Sequence, residues 1–526
     1  MADASLSAET GRSSTDSVVQ WLRQKAERFL STLVSRPEHW VLLGILACAF
    51  GVRAWYVSSG VPYAVGVDEP AIVDRALRIL RTGDWNPHGF DYPSLVIYLQ
   101  AAVTFGLLHV GALWGQGAER GLDIGAVYEA GRLVAALLGT ATVWLTYRLG
   151  KDLDSGVLGL VAAAQLAVFP MHVRESHFTL TDVPTTAFVT LALYLAVRAL
   201  RERTVSAYGW AGCAAGLAAA AKYNGAVVAV AIGLAWLLNE RSAPDRWRKA
   251  LAALIAIIVA FVVTVPYVIL DRPAFLKGFG AQVWRFSSEG GATPSVPPWQ
   301  TYLIHLSLAW RFWLPTAALG ALIVLWQRRS LKSWFIPIGF VMAYFYVLAT
   351  HRVVFGRYAL PLLPGICLLA AVPVVELSRF VQRRLTLRFI APAFVVLGTV
   401  TLTAAFASDS LAWLDQFRRP DTRTLAARWM VETLPWGTRL VVENGGPANL
   451  EHVGFNIADN PNRLTQELLD SYRKTGIEYF VIAPWSSTDL PGYGTVLDTG
   501  NILFSIDSAD DRWGPFVRVV KLSRAN

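Results

Sequence analysis

Four groups of ionisable residues interrupt an otherwise apolar chain, and each could do chemistry. Val67-Asp68-Glu69-Pro70 sets two carboxylates side by side. In a loop such a pair can divide its work, one acting as base and the other as metal or substrate ligand. The same residues suit a helix start, with Asp68 as cap and Asp74, Arg75 and Arg78 on the turns after Pro70. In His88-Gly89-Phe90-Asp91-Tyr92-Pro93, an imidazole and a carboxylate beside a rigid proline could bind sugar or metal. His88 also suits a plain turn before a helix. Arg174-Glu175-Ser176-His177, followed by Asp182-Val183-Pro184, sits where one apolar run ends and the next begins. Arg174, His177 and Asp182 are costly there unless they line a wet cavity. Asp182 could instead cap the helix opening at Pro184. The fourth group is cationic and comprises Lys222-Tyr223-Asn224, His351-Arg352 and Arg357-Tyr358. Arginine holds phosphate bidentately and lysine acts as a point charge. Both also serve as snorkelling anchors at helix ends, and Tyr223 and Tyr358 suit an aromatic belt.

The elements that must position these groups are membrane helices. The 526 residues are 54% hydrophobic and only 16% charged, with twenty Trp, and the mean hydropathy is +0.41. A soluble chain carries roughly a quarter charged residues. Apolar runs near 39–57, 94–114, 128–149, 156–172, 183–200, 207–221, 225–239, 249–270, 307–326, 334–350, 358–377 and 389–407 approach the length of a span. The net charge of +9 does not point to nucleic acid, because Arg and Lys fall in short clusters between these runs, the positive-inside pattern. Arg23, Lys25, Arg28 and Arg36 put the N-terminus in the cytoplasm, and the later basic clusters share that side if run 94–114 lies along the outer surface. Gln100, Thr104, Gly106, His109 and Gly111 soften that run. It therefore reads as a juxtamembrane or re-entrant helix, leaving about 11 crossings.

This topology faces all four groups outward, together with loops 58–127 and 271–306 and the tail from 408. Three domains are expected: a cytoplasmic tail at 1–37 with a possible amphipathic helix, a membrane domain at 38–407, and an extracytoplasmic α/β domain at 408–526. In the last, Thr422–Leu434 and Leu464–Thr475 read as helices, Arg439–Glu443 and Tyr479–Ala483 as strands, and 501–522 as strand–turn–strand. Cys48, Cys213 and Cys367 lie in separate apolar runs, with neither metal spacing nor a disulfide framework. The scarcity of cysteine outside those runs points to a bacterial inner (plasma) membrane. No P-loop, dinucleotide fingerprint, zinc-protease helix or G-x-S-x-G elbow is present, which removes the common routes to ATP-driven transport, dinucleotide chemistry and hydrolysis.

Carboxylates suit deprotonating a hydroxyl, and cations suit stabilising a departing phosphate. Together on one face they fit glycosyl transfer from a lipid phosphate. The alternative is a transporter or flippase of lipid-linked sugars, which would more typically hold its charges near mid-membrane.

Over about residues 38–407 the chain resembles the GT-C membrane glycosyltransferases, nearest the protein O-mannosyltransferase and lipid A aminoarabinose transferase group. The marks are Asp68-Glu69, Asp91-Tyr92-Pro93-Ser94-Leu95, Arg132, Asp182-Val183-Pro184, Lys222-Tyr223-Asn224-Gly225 and Arg357-Tyr358-Ala359-Leu360-Pro361, in that order. The resemblance implies a GT-C fold and an inverting hexosyl or pentosyl transfer from a polyprenyl-phosphate monosaccharide, such as an undecaprenyl- or decaprenyl-phosphate sugar. It implies Asp68 as the base, Glu69 and Asp182 as supporting or metal-contacting acids, and Lys222, Arg352 and Arg357 as holders of the carrier phosphate. A divalent cation (Mg, Mn or Zn) would be the cofactor where there is one. The partners implied are membrane lipids, the lipid-linked donor and a glycan, lipid or protein acceptor, with no nucleic acid. The Tyr92-Pro93-Ser94 run departs from the family's double proline, and loop 271–306 is too short for the sugar-binding insertion of eukaryotic relatives. A protein acceptor is therefore not specifically implied.

Overall fold

The computed structural model describes residues 37–113, 123–239, 244–287, 296–308, 310–328, 330–384, 390–486 and 500–522, with isolated positions between the last two stretches. The N-terminal amphipathic helix expected at 1–37 lies almost wholly outside them.

Helices dominate. Among the described residues, six are long and apolar enough to cross a membrane, including Ile124–Leu153, Asp182–Glu202, Arg246–Thr264 and Ile390–Arg418. Shorter apolar helices such as Val205–Ala221 and Trp313–Gln327 pack among them. The chain is a multi-pass membrane protein. Its helices approach closely where side chains are small. A Cβ on Gly212 would meet the Ala253 carbonyl oxygen at 2.3 Å, and one on Gly216 the Ile257 oxygen at 2.5 Å. The alanine-rich helix Val205–Ala221 thus lies directly against Arg246–Thr264.

The run at 94–114 forms the helix Leu95–Leu113. Its Leu95, Val96 and Ile97 pack on Ile72, Ala76 and Ile79 of the amphipathic helix Glu69–Thr82. The cluster closes over Ala220, Ala221 and Val265, at the ends of two membrane helices. The first loop is therefore a folded layer on the membrane domain.

Helix Ile390–Arg418 runs unbroken past the expected boundary at 408. The C-terminal domain opens instead at Asp421, whose side chain accepts from the Arg423 amide and caps the helix Thr422–Thr433. Strands β1 (Arg439–Val442), β2 (Asn456–Asp459), β3 (Tyr479–Ile482), β4 (Asn501–Ile506) and β5 (Val517–Lys521) form one sheet in the order β2-β1-β3-β5-β4. β1 runs parallel to both β2 and β3, while β5 is antiparallel to β3 and β4. Four of the five strands stand where alternation and turn residues predict them. β2 does not, because its residues are polar and largely exposed and carry no alternating pattern.

The domain is fastened to the first loop. Arg423 donates to the Val65 carbonyl at 3.0 Å, the Ala448 main-chain amide to the Tyr63 carbonyl at 2.8 Å and the Asn449 side-chain Nδ2 to the Pro62 carbonyl at 2.6 Å.

Candidate active site

Pro70 fixes the start of the helix Glu69–Thr82, as the sequence suggests, but Asp68 makes no side-chain capping bond there. Its carboxylate turns instead to Arg357, which donates to it through Nη2. Arg357 stands on the turn Gly356–Leu362 that leads into the helix Leu363–Arg384. Its Nε lies 3.7 Å from Oδ2 of Asp182. The other Asp182 oxygen receives Nζ of Lys222 at 2.6 Å. That ammonium also sits 4.1 Å from the centre of the Tyr358 ring, within cation–π range. Four separate stretches thus deliver two carboxylates and two cations to one chain of contacts. Tyr92 joins its edge, where burial and the neighbouring Asp68 and Asp182 carboxylates raise its phenol.

Glu69 stands apart from this chain although it is next to Asp68. It is fully buried. One oxygen accepts from Arg132 Nε at 2.9 Å and the Thr179 amide at 2.7 Å. The other accepts from Arg132 Nη2 and the Gly66 amide, both at 2.7 Å. Arg132 also donates to the carbonyls of Val57 and Ser59. The pair locks the loop carrying Asp68 to the helix Ile124–Leu153 and to the segment before Asp182.

The remaining predicted residues divide. Arg174 lies 3.4 Å from Glu175 and over the Trp413 ring at 4.7 Å. Two cavities, of ≈ 440 and ≈ 320 Å³, share Arg174, Glu175, Arg357 and Trp413 as lining. Asp91 is drawn away to Arg75 at 2.6 Å, and Tyr223 donates to the Phe90 carbonyl at 3.0 Å. Both ring nitrogens of His177 lie 2.9 Å from main-chain carbonyls, of Val173 and Trp55, in a buried setting that reads as architecture. Arg352 is exposed and does not line either of these cavities.

Two contributors carry no role in the sequence reading. Glu175 is buried at the wall of both cavities, and burial raises its carboxyl. Trp413 stands on the last long helix. Glu175 was visible beside Arg174, but nothing in its type or spacing distinguishes a cavity wall from a helix end.

Residues 121–270 match the model of the dolichyl-phosphate-mannose-protein mannosyltransferase family. No curated protein matches the sequence. Among solved structures, the chain is similar to ArnT from Cupriavidus metallidurans bound to undecaprenyl phosphate, with a TM-score of 0.57 and 16% identity over 92% of this chain and 98% of that one. It is also similar to the oligosaccharyltransferase AglB from Archaeoglobus fulgidus in complex with an inhibitory peptide and a dolichol-phosphate, with a TM-score of 0.58 and 13% identity over 86% of this chain and 70% of that one. The fold is that of the GT-C membrane glycosyltransferases, the group that the sequence resembles.

One archaeal oligosaccharyltransferase structure is a complex with Zn and sulfate. The acids expected here to contact a metal do not fit that task. Both oxygens of Glu69 are taken by Arg132 and main-chain amides, and Asp182 faces two cations. Among the described residues no group of three His, Cys, Asp or Glu side chains could hold a metal ion.

Proposed function

We propose that this chain is an inverting glycosyltransferase that moves a monosaccharide from a polyprenyl-phosphate carrier to an acceptor hydroxyl on the extracytoplasmic face, with Asp68 as the base. The observation that carries this reading is the contact chain from Asp68 through Arg357 and Asp182 to Lys222, which meets the two cavities at Arg357, beside Arg174. The fold relationship to ArnT and AglB, whose structures hold polyprenyl phosphates, supports the donor class.

Before donor arrives, the charges of Asp68, Asp182, Arg357 and Lys222 cancel. The donor phosphate competes with Asp68 for Arg357, because arginine pairs bidentately with phosphate, and Arg174 supplies a second cation. Asp68 is then released to take the acceptor proton. The acceptor oxygen forms its bond to the anomeric carbon from the face opposite the carrier. The carbon–oxygen bond to phosphate breaks, and the phosphate leaves with the electron pair, balanced by Arg357 and Arg174. Glu69 and Arg132 hold the loop so that Asp68 stays aimed at this point.

The test is donor turnover. Purified protein in lipid receives radiolabelled polyprenyl-phosphate sugars and an envelope extract as acceptor, beside Asp68→Asn. Transfer by the wild type and none by the variant is the expected result. A folded wild type that cleaves no donor but moves it across vesicles would make the chain a flippase.

A further inference from the structure

A third cavity, of ≈ 760 Å³, separates the first outer loop from the C-terminal domain. Val65, Gly66 and Val67 line both it and the ≈ 320 Å³ cavity that Arg357 also lines, so the stretch just before Asp68 is a wall common to the two. The opposite wall is the loop after β1, Asn444-Gly445-Gly446-Pro447, which continues to Glu451. Gly445 adopts a φ of 97° that favours glycine. A Cβ on Gly446 would meet Val442 at 2.9 Å. The loop therefore hugs the carboxyl end of a strand in the parallel part of the sheet, the edge at which open α/β sheets bind ligands. Hydrogen bonds from Arg423, Ala448 and Asn449 fix the domain on the loop, so the cleft is a built feature.

Its polar lining is made of carboxylates and amides, chiefly Asp74, Glu451, Asn444 and Asn456. Arg423 is the cation among the lining residues, and it is committed to Asp421 at 2.8 and 2.9 Å and to the Val65 carbonyl. Among the described residues, the Asp74 carboxylate makes no hydrogen bond or ion pair. Asp74 is an exposed residue that lines the cleft, with the docked domain close by. That crowding, with Glu451 nearby, pushes its carboxyl up to about 6. A phosphate or carboxylate ligand would meet two acids and no free cation. A polyol meets acceptors for its hydroxyl protons and amide donors for its oxygens, with Phe455 as an apolar floor.

We propose that this cleft is the acceptor subsite and takes a neutral, hydroxyl-rich carbohydrate whose terminal sugar reaches Asp68 past Gly66 and Val67. The assignment as acceptor rests on Asp68 being the base, whereas the binding does not.

The experiment reads binding without turnover. Full-length protein in lipid nanodiscs is titrated with neutral manno-, gluco- and arabino-oligosaccharides and with oligogalacturonate, using saturation-transfer NMR. The same series is run on Asn456→Trp, which fills the cleft from an exposed strand, and on Asp74→Ala. Melting temperatures no lower than that of the wild type confirm that the variants fold. At least one neutral series should bind, the anionic one should not, and each variant should weaken binding about tenfold or more. No neutral binding, preference for oligogalacturonate, or affinity unchanged in Asn456→Trp would overturn the proposal. Donor cleavage by the wild type is measured separately, so failure of the transferase reading is distinguishable from failure of the cleft.

Discussion

Asp68 and Arg357 stand 289 residues apart in the chain, yet the arginine donates a hydrogen bond directly to the carboxylate. The candidate base and the candidate phosphate holder are therefore partners before any substrate arrives. That relationship ties the two roles together, because donor phosphate and Asp68 compete for one guanidinium.

Asp68→Asn should abolish transfer while leaving the fold intact. A positioned base is typically worth about 10²–10⁴ in rate, and Asp68 makes no capping bond whose loss would unravel its helix. Donor binding should persist, because Arg357 is then freed for the phosphate. Normal transfer by the purified variant would remove Asp68 from the role.

Arg357→Ala should weaken donor binding and transfer together, by about 10²-fold or more in kcat/KM. Arg357→Lys keeps the charge but loses the fork, so it should recover only part of the loss. The split between KM and kcat, measured against carrier-phosphate analogues, reports this. A lysine variant equal to the wild type would argue against bidentate phosphate holding.

Glu69→Ala should act on stability. It strands Arg132 without its carboxylate in a buried site, where breaking such a pair costs about 3–5 kcal/mol. The double variant Glu69→Leu, Arg132→Met should be milder, since it leaves no unpaired charge. Thermal unfolding in detergent checks both. A Glu69→Ala protein with wild-type melting temperature and no activity would give Glu69 a chemical role.

Asp74→Asn should change the response to pH. The folded protein holds the Asp74 proton up to about 6, against an ordinary value near 3.8. Between those values the folded state binds more protons than the unfolded one, so stability from this group is present at low pH and declines as pH rises through that window. Asparagine resembles the protonated acid. The variant should therefore match the wild type near the bottom of the window and melt higher at pH 7. A difference that stays flat across the window would contradict the shift. The effect should be modest, because solvent reaches Asp74 from the cleft.

Much of this site is legible from residue type alone. Asp182, Lys222 and Arg357 each sit at the edge of an apolar run, where charge is expensive, Asp68 stands out as half of a carboxylate pair in the first loop, and the structure brings these four together. Their pairing is not legible, because it depends on how helices distant in sequence pack. Asp68 and Glu69 look like a pair in the sequence, yet successive residues at a helix start point about 100° apart. One faces Arg357 and the other is sealed against Arg132. Asp74 and Glu451 are ordinary surface acids until the docked domain faces one toward the other. The alternation of helix and strand gives away most of the C-terminal domain. Its true start does not show, because the helix Ile390–Arg418 only gradually trades apolar for polar residues.

Four hydrogen bonds that seat the C-terminal domain end on the same short stretch of chain. The carbonyls of Gly60, Pro62, Tyr63 and Val65 receive Thr424, Asn449, Ala448 and Arg423 in turn. A protein truncated after Arg418 would strip the donors from four oxygens just upstream of Asp68. Such a truncation would keep every candidate membrane helix among the described residues and still lose the splint that sets the angle of the carboxylate. Swapping this domain for a relative's would likewise require swapping residues 60–65 with it.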